Sequence, residues 1–420
     1  MNEHRMTLDT AAASKGTVDL PAHCEVLVVG AGPAGSACAQ VLAQAGVQTL
    51  LVDAANFPRD KTCGDGLISD AHAAFERLGV HAQVMAQAHV IEFVRCVGPT
   101  GRHVDIAGTL AVLPRLKLDH ILVRSAQRAG AQLVTPWRLQ ALLKDAAGRV
   151  SGGRFKRAGE VRDVQARHTV LATGASAQAL AVSQMGDESA PSAFALRGYI
   201  QHTGMVDKIP HLEVVWHPRL KDGYSWIFPC GNGVFNVGVG YGTKSLRNGQ
   251  IKNKKNLHAM LEDFAAVHSG AGELIKNGIL EQPFKGAPLR ASLRGSRWTA
   301  PGLLVTGEAA GSTYALTGEG IGKAMETGMH AAEALIMAHR QGAADDALHA
   351  FYTQSLEQLK PKYAFYEKAN MANSYPWLVE LVIRKATKSA SLRQRLSQHL
   401  QEEVSTRPLT LGRVLRHLWA

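Results

Sequence analysis

Residues 24–53, CEVLVVGAGPAGSACAQVLAQAGVQTLLVD, constrain the fold more than any other stretch of the chain. CEVLVVG is a β-branched apolar run that ends in glycine, the pattern of a parallel strand buried on both faces. The next segment predicts a helix stopped by Gly46, and VQTLLVD predicts a second strand. The turn between strand and helix reads Gly30-x-Gly32-x-x-Gly35. The first glycine permits the tight turn, the second lets a pyrophosphate approach the backbone, and the third lets the helix pack on the strand. The free N–H groups and positive dipole end of the helix suit phosphates; Pro33, which has no N–H, and Ala34 open that helix and are candidate cofactor contacts. Asp53 ends the second strand, where a carboxylate can hold ribose hydroxyls, and Ala54 follows it. Gly-x-Gly-x-x-Gly alone is a weak sign in a chain with 41 glycines, but strand, helix, second strand and acid in order describe a dinucleotide-binding unit.

The chain's 420 residues are enough for two or three lobes. HTVLATGAS (168–176) reads as a strand ending in Ala-Thr-Gly. GLLVTGEAAGSTYALTGEGIG (302–322) returns to a buried strand and glycine-rich turns, with a helix after it. Between these, roughly 185–290 alternates as antiparallel strands and is too long for a connection. The pattern turns helical from about 345. The expected fold is α/β, with a Rossmann-type nucleotide-binding domain built from 23–184 and 285–345. An antiparallel-sheet substrate domain is inserted at 185–284, a C-terminal helical region occupies 346–420, and residues 1–22 form a disordered leader.

Five cysteines (24, 38, 63, 96 and 230), odd in number and widely spaced, argue against disulfides and point to a reducing, cytoplasmic compartment. No HExxH, metal-type Cys/His spacing or GxSxG elbow occurs, so no metal site and no serine hydrolase are expected. The formal net charge is +11. Its basic residues are dispersed, with local groups at Lys252–Lys255 and from Arg384 to Arg416, and no motif for nucleic acid accompanies them. The first group reads as a solvated loop. In the tail, PWLVELVIRKATKSASLRQRL and LTLGRVLRHLW repeat apolar and basic residues near helical spacing. That pattern fits a cap on the substrate lobe or a peripheral helix on the inner face of an anionic bilayer. No apolar run is long enough to span a membrane.

GAGPAG, an acid after the second strand, an arginine ahead of a helix, a strand ending in ATG and a late GEAAG occur in that order. Together they resemble the FAD-dependent family typified by para-hydroxybenzoate hydroxylase. CGDGL (63–67) and YSWIFPCGNGVFNVGVG (224–240) resemble the Cys-Gly-x-Gly-Leu and Tyr-x-Trp-x-Phe-Pro…Gly-x-Gly patterns of geranylgeranyl reductases, and LTGEGIGKAMETGMHAA is similar to a further segment of theirs. The resemblance spans about 24–345. It implies FAD held across two lobes, with Gly30, Gly32, Pro33, Ala34, Gly35, Asp53 and Ala54 around its ADP half. Arg59, Gly64, Arg115, Thr173, Gly174, Glu308, Gly318, Gly320 and Ile321 are implied as further contacts. Glu308 departs from the family's usual Asp, and the longer carboxylate is able to bond through a water. A helix beginning at Gly318–Gly322 would aim N–H groups at the negative N1 and O2 of reduced flavin; an ordinary glycine-rich helix start is the plainer reading.

In the family fold, the resemblance implies, the loop PRDKTCGDGL lines the substrate side of the ring. Cys63 is small and polarisable, so it can donate a proton, shape the pocket or fill space, with Arg59 and Lys61 as candidate neighbours. Tyr224, Trp226 and Phe228 alternate and so share one strand face. With Pro229 they are expected to form a pocket wall rather than plain lobe core, and Tyr224 and Trp226 join Cys63 as candidate catalytic residues. A flat apolar wall suits an isoprenoid-like substrate, held by shape and dispersion. The implied reaction is reduction of carbon–carbon double bonds by hydride transfer from reduced flavin, with NADPH or a partner electron-transfer protein as reductant. An FAD-dependent monooxygenase or flavin-dependent halogenase shares the scaffold; halogenases carry Trp-x-Trp-x-Ile-Pro where this chain has Tyr224 and Phe228. An electron carrier for a membrane quinone is a third reading, which the cysteine spacing disfavours because it supports no iron–sulfur cluster.

Overall fold

The computed structural model describes residues 19–185, 191–244, 251–294 and 297–402. The leader expected over 1–22 falls almost wholly outside them, as does the tail segment 409–419.

The strand His23–Val29 lies at the centre of the first sheet. It pairs in parallel with Thr49–Val52 on one side and with Glu160–Leu171 on the other. Gln132–Val134 and Leu303–Val305 extend the parallel run at its two flanks. Burial on both faces explains the continuous apolar character of VLVV and TLLV. One face carries the helices Pro33–Gln44, Arg115–Arg128 and Ile321–Gln341, which meet the sheet through small residues such as Ala34, Ala39, Ala331 and Ala334. The first and last of these helices touch backbone to backbone: a Cβ added at Gly328 would lie 2.2 Å from the Ala34 carbonyl oxygen. A meander, Arg138–Lys144 to Val150–Arg157 to Glu160–Leu171, covers the other face with Leu139, Phe155 and Val164.

The second sheet is antiparallel except at one seam. Its strands run Ile279–Leu280, Ala193–Gln201, Val234–Gly242, Gly223–Pro229, Leu212–Val215, His89–Val97, His103–Val112 and Gly66–Leu67, with Lys285–Leu289 also on Ala193–Gln201. The seam is the parallel pairing of Leu212–Val215 with Val94–Val97. Three strands of this sheet therefore come from residues 66–112, ahead of the inserted segment in sequence. Helices Leu257–Val267 and Ser269–Asn277 cover its back through Met260, Phe264 and Leu274. The loop at Lys252–Lys255 leads into the first of these helices, which Asn256 caps by accepting the His258 and Ala259 N–H groups.

The long helix Asp345–Ala369 packs Leu348, Tyr352 and Leu356 onto the nucleotide-binding lobe. There the Tyr352 hydroxyl donates to the Val305 carbonyl at 2.7 Å. Helices Pro376–Ala386 and Ala390–Leu400 then fold across the second sheet, where Val379, Ile383 and Ala386 bury Val104 and Ile106. The architecture is thus α/β, a Rossmann-type sheet beside an antiparallel one, closed by C-terminal helices. No helix among the described residues is long and apolar enough to cross a membrane. All five cysteines are free thiols.

Candidate active site

The glycine turn is built by contact. Gly30 has φ +101°, and a Cβ there would sit 2.4 Å from the Ala172 carbonyl oxygen. A Cβ on Gly35 would lie 1.7 Å from the Gly30 oxygen, so helix and strand meet with no room for a side chain. Asp53 braces the turn from the second strand: its carboxylate accepts the Ala31 N–H at 2.7 Å and the Ala55 N–H at 2.9 Å. Above Gly32 two guanidiniums converge, with Nη2 of Arg59 and of Arg115 at 3.5 and 3.9 Å from where a Cβ would be. Arg115, 4% exposed, grips Asp119 through two bonds of 2.6 and 2.8 Å, and Arg59 reaches the same carboxylate at 3.1 Å. Asp53 is 3.9 Å from Arg59 and is already engaged by backbone amides. One fully buried carboxylate faces two guanidiniums at a helix N-terminus, a donor set that fits the pyrophosphate of a dinucleotide.

From this cradle a cavity of about 1320 Å³ runs between the two sheets to the C-terminal helices. It is lined by Gly30, Gly32, Pro33, Ala34, Asp53, Arg59, Arg115, Thr173, Gly174, Glu308, Gly318, Gly320 and Ile321 together with Cys63, Gly64, Tyr224, Trp226 and Phe228. Gly35 stands behind the wall in the helix–strand contact, and Ala54 lies beyond Asp53 and does not line the cavity. Pro229 corrects the expectation of a pocket wall. As Phe228's neighbour on a strand it points to the other face, and it lines a separate groove with His89 and Gly231. Glu308 is held directly: Lys61 Nζ lies 3.2 Å from its carboxylate.

The CGDGL loop lies flat on the aromatic wall. A Cβ on Gly64 would be 3.3 Å from the Phe228 ring and 3.5 Å from Trp226 Nε1. Tyr224, Trp226 and Phe228 follow one another with ring centroids 6.2 and 6.3 Å apart. Lys61 and Arg59 are taken by Glu308 and Asp119, and the guanidinium that faces the Cys63 thiol is Arg115. The Tyr224 hydroxyl donates to the Thr317 carbonyl and the Trp226 indole N–H to Asn236 Oδ1 at 2.9 Å, so the polar ends of both rings are occupied.

Sequence reasoning passed over the residues that set this loop. Asp65 has φ +65° and is fully buried. Its carboxylate accepts from the Tyr199 hydroxyl at 2.5 Å and from Asn236 Nδ2 at 2.7 Å. Burial pushes that carboxyl up to about 6, against the lowering effect of Tyr199, Arg197 and Asn236. Asn236 also donates to the Cys63 carbonyl at 2.8 Å. One amide therefore ties Cys63, Asp65 and Trp226 together. Behind them Arg197, 1% exposed, bonds Asp60 at 2.5 Å and the Lys61 carbonyl at 3.1 Å. The acid between the two glycines of CGDGL was the one local sign of this network.

A family model for an FAD binding domain matches residues 23–361. The menaquinone reductase of Mycobacterium tuberculosis is 32% identical over 327 residues, 74% of this chain and 76% of its own. The digeranylgeranylglycerophospholipid reductase of Thermoplasma acidophilum is 27% identical over 327 residues, 74% of this chain and 77% of that protein. Among solved structures, a geranylgeranyl bacteriochlorophyll reductase-like protein from Thermoplasma acidophilum superposes with a TM-score of 0.76 at 22% identity, covering 94% of this chain and 99% of that one. A variant of a flavin-dependent brominase reaches 0.72 at 18% identity over 90% of this chain and 94% of its own. Likeness at that identity shows a shared fold.

Proposed function

The chain belongs to the FAD-binding domain family and is an FAD-dependent oxidoreductase of the geranylgeranyl reductase-like type, and from that premise we propose that it reduces carbon–carbon double bonds in the isoprenoid tail of a lipid. The observation that carries the reading is the continuity of the cavity. It joins the Gly32 cradle, past Cys63 and the aromatic wall, to an apolar chamber under the C-terminal helices lined by Ile106, Val214, Val379 and Leu396. Such a chamber holds a chain that offers no hydrogen bonds. The names of the relatives, which act on menaquinone or on digeranylgeranyl lipids, support a tail of this kind.

FAD bound in this cavity would supply the hydride, with NADPH or a partner electron-transfer protein as its reductant. The protein's part is position and exclusion of water. The Gly30–Gly35 turn, Asp53, Arg59 and Arg115 hold the dinucleotide half. Thr173, Gly174, Glu308 and the Gly318–Ile321 turn, which line the same cavity, would hold the other half. Gly64 lets the loop lie close on the aromatic wall, where Trp226 and Phe228 would hold the alkene within near-attack distance of the flavin. Cys63 shapes the reaction centre beside Arg115, and Tyr224 fixes the Thr317–Gly320 turn through the Thr317 carbonyl. Single turnover under anaerobic conditions tests the reading: pre-reduced protein given a menaquinol, whose head group is already reduced, with an unsaturated tail is expected to reoxidise its flavin and add one H2 to the mass of the tail for each bond reduced. Flavin that reoxidises only with oxygen, with insertion of an oxygen atom, places the protein among the monooxygenases instead.

Substrates of this kind lie in a bilayer, and the mouth of the cavity suits one. Met371, Tyr375 and Trp377 line the cavity and are exposed by 46%, 48% and 59%; Trp377 stands in the first turn of helix Pro376–Ala386, which Arg384 and Lys385 end. Apolar and basic groups on that helix support peripheral attachment to the inner face of an anionic membrane, from the cytoplasm. Replacing Trp377 and Leu381 by serine is expected to weaken co-sedimentation with vesicles of anionic phospholipid about tenfold, the loss expected of roughly 1.4 kcal/mol of apolar burial. Equal sedimentation of both proteins ends the membrane reading.

A further inference from the structure

Reducing an olefin consumes a proton as well as a hydride. We propose that Glu319 is the proton donor, an assignment that rests on the alkene-reduction reading above. Glu319 lies on the cavity wall in the turn that precedes helix Ile321–Gln341, beside Tyr224. The turn is pinned from two sides. The Glu319 carbonyl accepts the Tyr314 N–H at 2.9 Å, and the Tyr224 hydroxyl bonds the Thr317 carbonyl.

The charges behind this wall do not balance. Buried Lys323, 2% exposed, is ringed by Asp70 at 3.6 Å, Glu326 at 3.1 Å and Glu402 at 3.0 Å, and Lys362 bonds Glu402 at 3.0 Å. Glu319 makes no ion pair among the described residues. The groups that face it are the carboxylates of Asp70 and Glu402, the ammonium of Lys323, the phenols of Tyr224 and Tyr366 and the Thr317 hydroxyl, which, like Lys323, favours its charged form. With carboxylates in excess of cations, the one without a cation keeps its proton. Burial, reinforced by Asp70 and Glu402, pushes the Glu319 carboxyl up to about 8. It is therefore protonated at neutral pH, inside the same cavity as Cys63, Trp226 and Phe228.

The step balances. The olefin accepts a hydride at one carbon, the π pair forms the second C–H bond by taking the Glu319 proton, and the O–H bond breaks to leave a carboxylate. The electron pair comes from FAD reduced beforehand by the donor named above, and the carboxylate regains its proton from water.

Two measurements on Glu319→Gln decide the assignment. The infrared carboxyl stretch of the cofactor-free protein, titrated from acid to alkaline pH, is expected to contain a band that disappears near pH 8 and is missing in the variant. In the pre-reduced holoenzyme, transfer to the unsaturated tail of a menaquinol is expected to fall about 100-fold, the scale of general-acid catalysis. Reduction of FAD by dithionite should be unchanged, and Glu319→Asp should recover part of the rate. In the parent the transfer rate should fall as pH rises through about 8. A carboxyl that ionises in the ordinary range, or a variant that reduces the tail within twofold of the parent, overturns the assignment and leaves the proposed function standing. A parent that leaves the tail unreduced overturns the proposed function, and the assignment with it.

Discussion

Replacing Asp119 by alanine is expected to destabilise the cofactor-free protein by about 3–5 kcal/mol, the scale for breaking a buried charge pair from one side. Asp119 is fully buried and is bonded twice by Arg115, itself only 4% exposed, while Arg59 leans on the same carboxylate. Without it two guanidiniums converge over Gly32 with no buried counter-charge. The urea midpoint of lobe unfolding, followed by circular dichroism, measures the loss. Added FAD should recover part of it, because a pyrophosphate replaces the missing anion and binding to the folded state alone stabilises that state. The pair Asp119→Leu and Arg115→Met should cost less than Asp119→Ala alone, since no unpaired charge remains at Arg115. It should also bind FAD more weakly. A midpoint for Asp119→Ala equal to the parent's would show that the guanidiniums reach solvent and that the cradle is not a closed charge site.

The second large effect is expected at a residue that touches neither FAD nor the tail through a functional group. Gly238 pairs with Trp226 across the sheet, and a Cβ there would lie 2.2 Å from Trp226 Cζ2 and 2.7 Å from the Leu196 carbonyl oxygen. In Gly238→Ala the indole must move. Its N–H then leaves Asn236, the amide that also holds Asp65 and the Cys63 carbonyl. Overpacking should cost about 1–3 kcal/mol of stability. Loss of the near-attack geometry should slow transfer to the tail about 100-fold. The cradle lies on the other sheet, so the ratio of flavin absorbance to protein should stay at the parent's value. Loss of flavin together with activity would show that the two sheets are not independent in this respect.

The nucleotide half of the site was legible because its determinants are local. Strand, turn and helix follow one another in thirty residues, and Gly30, Gly35 and Asp53 each answer a steric or hydrogen-bonding need of that one turn, while a Cβ on Gly32 would meet only the Arg59 and Arg115 guanidiniums at ordinary contact distance. The aromatic face was legible for the same reason: alternation put Tyr224, Trp226 and Phe228 together. The same rule was available for Pro229, which directly follows Phe228 and so faces away. Asp65, Tyr199 and Asn236 were not legible. They come from a loop and two strands far apart in sequence, and a buried carboxylate in a Gly-Asp-Gly turn looks the same on paper as a solvated one. Glu319 was quoted within its motif and passed over, since its surroundings are Asp70, Lys323 and Glu402, brought together only by the packed fold. The strands of 66–112 were missed as members of the second sheet because a parallel pairing between distant segments leaves no pattern in either of them.

That seam bears on how the chain emerges from the ribosome. His89–Val97 and His103–Val112 are made early, yet one flank of the first stays unpaired until Leu212–Val215 has been synthesised. During that interval the nascent polypeptide presents an open β edge, a place where chains stick to one another. Halting translation between residues 112 and 212 should therefore yield an intermediate that depends on chaperones, and a halt late enough for Leu212–Val215 to pair should remove the part of that dependence that the open edge causes.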